Sequence, residues 1–211
     1  MRRSATELRS HILDAARTEF AHHGLAGSRI DRIARAANAS KERLYAHFVD
    51  KETLFRDVVA TDVSSFYRSV TLRPDAVPEF AGDIYDLGRN SPEHLRMITW
   101  ARLEGLSLDQ PDPHPNPHAQ ALFDDAIAAI ETAQRDGYVD HRWQPLDLLT
   151  LLFGIGLAWA HAPEPHHTIT DPVVISRQRA GAVEAARRVA SPPVDNRVEP
   201  PSTSATVPGC P

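Results

Sequence analysis

Residues 28–55 read SRIDRIARAANASKERLYAHFVDKETLF, and their pattern predicts helix, tight turn, helix, hinge and helix. Ser28 is a helix-capping residue type, and Ile30, Ile33, Ala34 and Ala37 follow it on one helical face. Ala37-Asn38-Ala39 interrupts that face, and Asn38 is the residue there that most readily turns left-handed. Ser40 caps a second helix, in which Leu44 and Phe48 stand four apart and Lys41, Arg43, Tyr45 and His47 are left for other contacts. Asp50 caps a third helix, running through Leu54, Phe55 and Val58. Two short helices joined so tightly predict a helix-turn-helix, whose second helix enters the major groove of DNA.

The charge supports that expectation only after the chain is divided. Its 211 residues carry a net charge of -5, which argues weakly against nucleic acid. Residues 1–57, however, hold 11 Lys/Arg against 8 Asp/Glu (+3), and the remainder holds 12 against 20 (-8). A basic segment on an acidic body fits a small DNA reader joined to something that must not bind DNA. The single cysteine, Cys210, excludes a disulfide framework or a cysteine metal site within one chain, and suits a cytoplasmic location. Residues 4–10 supply no apolar run for a secretory signal. The longest mainly apolar run, Leu148 to Ala160, is 13 residues. A bilayer span needs roughly 20, so no membrane partner is expected.

Around this centre the chain reads as all-α, near nine helices. A first helix, about Thr6 to His22, shares Leu8, Ile12, Ala15, Ala16 and Phe20 on one face and ends at Gly24. Arg2 and Arg3 before it either lie along phosphates or fray into solvent. The helix from Lys51 continues to about Val70, through Val59, Val63 and Phe66, and connects head to body. Helices follow near Glu79 to Leu87, ending at Gly88, and from a Ser91 cap with Pro92 at its first position to Leu103 and Gly105. DQPDPHPNPH (109–118) is an extended surface loop, with solvation favoured over metal binding for His114 and His118. Next come Ala119 to Gln134, with Leu122, Ile127 and Ile130 inward and Gly137 as terminator, and the apolar Asp147 to Ala160, whose Gly154 and Gly156 permit close approach. His161, His166 and His167 fall in a Pro-rich loop. The last helix runs from Asp171 to Ala190, with Val173, Val174, Ala180, Val183 and Ala186 facing a partner and Arg177, Arg179, Arg187 and Arg188 wet. Residues 191–211 are a disordered Pro-rich tail. The expected domains are 1–50, a DNA-binding head, and 51–190, an effector-binding and dimerisation body.

ILDAARTEFAHHGLAGSRIDRIARAANASKERLYAHFVDKETLF, about a fifth of the chain, resembles the N-terminal domain of the tetracycline-repressor (TetR) family of bacterial transcriptional regulators. Ala15-Ala16, Phe20, Gly24, Ile33-Ala34, Ala37, Ser40, Leu44-Tyr45, Phe48, Lys51 and Leu54-Phe55 fall in the family's register. Asn38 departs from the usual glycine, and Glu42 from a small residue; Glu42 either accepts from a cytosine amino group or tunes helix capping. The resemblance implies a homodimer, built largely from the last two helices, on a palindromic double-stranded operator. Tyr45, His47 and Lys51 are then phosphate contacts, with Ser28 and Arg29 gripping the same backbone. Lys41, Glu42 and Arg43, just after Ser40, are the candidate base readers.

The family's bodies commonly hold a small effector that releases DNA. Met97, Trp100, Leu103, Phe123, Phe153 and Trp159 are candidates for lining such a pocket, with core packing the alternative for each. Glu104, Asp124 and His161 are polar candidates beside them. No catalytic motif, metal set or cofactor fingerprint is present, so an enzyme is not expected. The rival is a DNA-binding or architectural protein without an effector, to be told apart by whether the body holds an apolar cavity of several hundred cubic ångströms, on the order of ordinary ligand sites.

Overall fold

Ser4 and Glu7 begin the first helix by a reciprocal bond: Glu7 N–H donates to Ser4 Oγ (3.1 Å) and Ser4 N–H to Glu7 Oε2 (2.9 Å). The structure, a computed structural model, describes residues 4–105, 117–163 and 166–192, without the side chains of 63, 64, 66, 67, 117–120, 122 and 166. The expectations for Arg2, Arg3, His114, most of the Pro-rich loop, the tail beyond 192, and the side chains of Val63, Phe66, His118, Leu122 and His166 therefore lie outside the described residues.

The helices are α1 (Ala5–Gly27), α2 (Ile30–Ala36), α3 (Lys41–Tyr45), α4 (Lys51–Arg68), α5 (Val77–Asn90), α6 (Pro92–Leu103), α7 (Pro117–Arg135), α8 (Pro145–Leu157) and α9 (Pro172–Ala190). Among the described residues there is no strand, and the fold is all-α. Pro117 and His118, expected in the loop, form the start of α7, where proline's missing N–H costs nothing. Gly88 does not end α5; it is buried within a helix that runs to Asn90. Ser91 sits at the N-cap of α6 but makes no side-chain capping bond.

Two apolar clusters divide the molecule. One gathers Leu8, Ile12, Ala16 and Phe20 of α1, Ile30, Ile33 and Ala34 of α2, Leu44, Phe48, and Leu54, Phe55 and Val58 of α4. Phe20 and Phe55 meet edge to face at 5.0 Å. The other joins Phe80, Ala81 and Ile84 of α5 with Ile130 and Ala133 of α7, Leu148, Leu149 and Leu152 of α8, and Ala186 and Ala190 of α9. Helix α6 touches both, since Met97 and Ala101 belong to the first cluster and Leu95 packs on the second.

Close approach fixes how α6 and α8 seat. Gly24 has φ 64 and ψ -176, a region essentially closed to side chains, and a Cβ there would lie 2.9 Å from three carbons of the Trp100 ring. The Trp100 indole N–H donates to the Ala21 carbonyl (3.4 Å), so α6 docks where α1 breaks. Gly156 lets α8 meet α5: a Cβ would fall 2.5 Å from Ile84 and 2.8 Å from the Ala81 carbonyl. Gly154 does not share that role, because nothing among the described residues lies within 4 Å of where its Cβ would be. Arg179, expected in solvent, instead lies across Gly82 and donates to Asp86 (2.6 Å) and Asp83 (2.9 Å), clamping α9 to α5.

Gly24→Ala should cost about 2–4 kcal/mol, the sum of backbone strain and displacement of the Trp100 ring. Gly137→Ala, also at positive φ but with nothing within 4 Å, should cost about 1 kcal/mol. Urea unfolding of the two variants checks this, and equal losses would remove Trp100 as the constraint.

Candidate nucleic-acid interface and body cavity

Helix α3 has five residues, and Leu44 is its one buried member. With Leu44 and the following Phe48 turned into the head cluster, Lys41, Glu42, Arg43 and Tyr45 are exposed and His47 is half-buried. The turn before it closes as expected. Asn38 has φ 54, Ala39 N–H donates to the Ala34 carbonyl (2.9 Å), and Asn38 N–H donates to Arg35 (3.1 Å). That is a helix ending in which a left-handed residue satisfies the last carbonyls. Ser40 Oγ accepts from Arg43 N–H (3.3 Å), and Asp50 Oδ1 accepts from Thr53 N–H (2.7 Å), so both caps form where the sequence places them. Its own N–H and the Ser40 hydroxyl hold the Glu42 carboxyl below the usual value.

The start of α2 differs from expectation. Ser28 is buried and donates its hydroxyl to the carbonyls of Gly24 (2.5 Å) and Glu19 (3.2 Å), so it neither caps α2 nor offers that hydroxyl to a phosphate. Arg29 holds the N-cap position without a side-chain bond. The capping anion comes from α1: Glu19 Oε1 accepts from Arg29 N–H (2.9 Å) and Arg32 Nε (2.7 Å). Burial raises the Glu19 carboxyl, but the Arg32 guanidinium and the Arg29 N–H outweigh it and hold it below its usual value. Lys51 Nζ rests 3.4 Å from the Ser28 carbonyl, which brings the starts of α2 and α4 together. Arg29 and Arg43 are exposed and carry no ion pair among the described residues, whereas Lys41 Nζ lies 3.1 Å from Asp31 Oδ1. The sequence pattern pointed to neither Glu19 nor Asp31, because each partner lies across a helix break.

The body contains a cavity of about 180 Å³ lined by Val70, Thr71, Leu72, Phe80, Phe123, Asp125, Ala126, Leu149 and Phe153. Of the six pocket candidates, it gathers Phe123 and Phe153; Phe80 meets Phe153 edge to face at 5.5 Å. The other four stand elsewhere. Met97 is fully buried in the head cluster and Trp100 packs on Gly24, while Leu103 is 71% exposed. Trp159 stacks edge to face on Tyr85 at 5.6 Å. Glu104, Asp124 and His161 are exposed. Among the described residues no helix is long and apolar enough to cross a membrane, and no group of three His, Cys, Asp or Glu could hold a metal.

Comparison with known proteins gives the same two parts. Residues 12–58 match the model for bacterial regulatory proteins of the tetR family, and residues 76–188 match the tetracyclin repressor-like C-terminal domain. The HTH-type transcriptional repressor SCO4008 of Streptomyces coelicolor is 32% identical over 152 residues, 72% of this chain and 77% of its own. The crystal structure of the transcriptional regulator SCO4942, from the same organism, aligns with a TM-score of 0.72 at 36% identity, over 88% of this chain and 99% of that one. AibR, solved with isovaleryl coenzyme A and operator DNA, shares the fold at a TM-score of 0.58 and 16% identity, over 84% and 97%. With its helix-turn-helix head and helical body both matched, this chain belongs to the tetracycline-repressor family of bacterial transcriptional regulators.

Proposed function

We propose that this regulator is a cytoplasmic homodimeric repressor that binds a palindromic operator through α3 and releases it when a small, largely apolar effector fills the body cavity. The observation that carries the reading is α3 itself, which turns Leu44 inward and leaves four polar side chains in solvent. Arg29, Tyr45, His47 and Lys51 grip phosphates on either side of it, and Lys41 and Arg43 reach base edges. Two copies then place their α3 helices in major grooves roughly 34 Å apart.

Apolar side chains left in water on the last helices support the dimer. Leu146 and Leu151 of α8 and Val173 of α9 are exposed, and Gly154, Ala180 and Gly181 open the same helices to close approach. The cavity is the site proposed for the effector, and at about 180 Å³ it falls short of the several hundred cubic ångströms that separate a sensor from a regulator without an effector. An apolar cavity of roughly 150 Å³ accommodates benzene, so 180 Å³ suits a single ring with a short substituent. Val70 and Leu72 line it directly after α4, whose 18 residues span roughly 27 Å to Lys51 at the DNA face. A ligand pressing on this wall therefore moves the rod that carries the head.

Lys51→Ala should weaken binding to every duplex and lower the salt slope by about one per protomer. Arg43→Ala should change the preferred base, with discrimination falling by about 1–3 kcal/mol. Anisotropy titrations across salt measure both, and unchanged binding in both variants means that another face docks. Leu151→Glu should halve the mass seen by sedimentation velocity and weaken operator binding; an unchanged dimer moves the interface elsewhere. Single-ring aromatics should raise the melting temperature of the wild type but not of Ala126→Trp, which fills the cavity. A shift that survives in Ala126→Trp, or none in either protein, contradicts the cavity as the effector site.

A further inference from the structure

The head's ion pairs differ in exposure, and the difference sorts them by job. Arg17 reaches the fully buried Asp62, and Arg32 the nearly buried Glu19, so these pairs are struts within the fold. Arg9 and Asp57 (2.6 Å) brace α1 against α4, with the Arg9 guanidinium 5.2 Å from the centre of the Phe48 ring. Lys41 and Asp31 are unlike these: their side chains are 50% and 67% exposed, and no other described pair in the head leaves both partners so open. The pair spans the turn of the helix-turn-helix, from the first turn of α2 to the first residue of α3. It borders a shallow concavity that Arg35, Asn38 and Ala39 also line.

An exposed ion pair is weak and dissociates readily. While intact, it offers DNA a neutral patch at the tip of α3 in place of a free ammonium. Any phosphate must compete with Asp31 for Lys41, and a phosphate of arbitrary sequence offers nothing more than the carboxylate does. A guanine edge at the correct register offers two acceptors in fixed positions. Once Lys41 has moved to it, Asp31 remains at the surface as an acceptor that phosphates repel and a cytosine amino group satisfies.

We propose that Asp31 is a specificity-determining residue: by holding Lys41 it withholds one cation per protomer from non-specific DNA and yields it only at a matching site. The proposal rests on α3 being the DNA face. It makes an acidic residue of the supporting helix α2 part of the reading surface.

The test uses the full chain, a duplex selected from a random library by the wild type, and a scrambled duplex of the same length. Anisotropy titrations across a salt series compare wild type, Asp31→Asn, Lys41→Ala and the double variant. Asp31→Asn should tighten binding to the scrambled duplex a few-fold and steepen its salt slope by about 0.9 per protomer, the value for one added phosphate contact. Binding to the selected duplex should tighten less, so the specificity ratio falls. In the Lys41→Ala background both effects should vanish. An equal effect on the two duplexes, or an effect that persists without Lys41, overturns the proposal, since Asp31 then acts by bulk repulsion. Arg43→Ala and Lys51→Ala separate the two readings. If they weaken binding while Asp31→Asn does nothing, the proposal fails and the docking face stands; if they too do nothing, both fail.

Discussion

A helix of five residues cannot hold its own shape in water, where isolated helices shorter than about 12–15 residues are marginal. The direction of α3, and with it any reading of DNA, therefore depends on the burial of Leu44 and Phe48 in a cluster that α1, α2 and α4 build around them. The rest of the head serves that constraint. Phe20 against Phe55 joins α1 to α4, Arg9 covers the Phe48 ring while pairing with Asp57, and the left-handed Asn38 ends α2 just before α3 begins. Glu19 pins the start of α2 from the other side. The outward residues of α3 are thus aimed through the burial of Leu44 and Phe48 in the head cluster.

The head is also fastened to the body more firmly than a single connecting helix would allow. Trp100, Met97 and Ala101 bring α6 into the head cluster at the break in α1. Beside them Asp62 of α4 is fully buried, bonded to Arg17 of α1 and 3.6 Å from His94 Nε2 of α6. Burial pushes the Asp62 carboxyl up, against the opposing pull of His94 and Arg17, and its second oxygen has no hydrogen-bond partner among the described residues. A buried carboxylate so incompletely satisfied is an expensive joint, and it ties three helices from both sides of the junction. Body and head are thus joined through α4 and α6 together.

Local chemistry was legible in the sequence and tertiary partnership was not. The caps at Ser40 and Asp50, the left-handed Asn38, the terminating Gly137 and the inward Leu44 and Phe48 are written within a few residues of where they act. Ser28 carries the same capping signal as Ser40. The break at Gly24, however, folds its hydroxyl back onto α1, and Glu19 takes its place from nine residues upstream. The cavity was legible only in part for the same reason. Apolar periodicity marks Met97, Trp100 and Phe123 alike as inward, but not which of two clusters each one enters. Gly154 and Gly156 look equivalent in the sequence, two residues apart on one helix, yet of the two only Gly156 meets a neighbour among the described residues.

In the proposed binding mode, paired α3 helices read the major groove of a two-fold symmetric site. Dimethyl sulfate protection on the bound duplex tests it most directly, because the reagent methylates guanine N7 in the major groove and adenine N3 in the minor groove. The account predicts two clusters of protected guanines, related by a dyad and separated by about one helical turn or a multiple of it. A single asymmetric cluster, or protection confined to adenine N3, would contradict it.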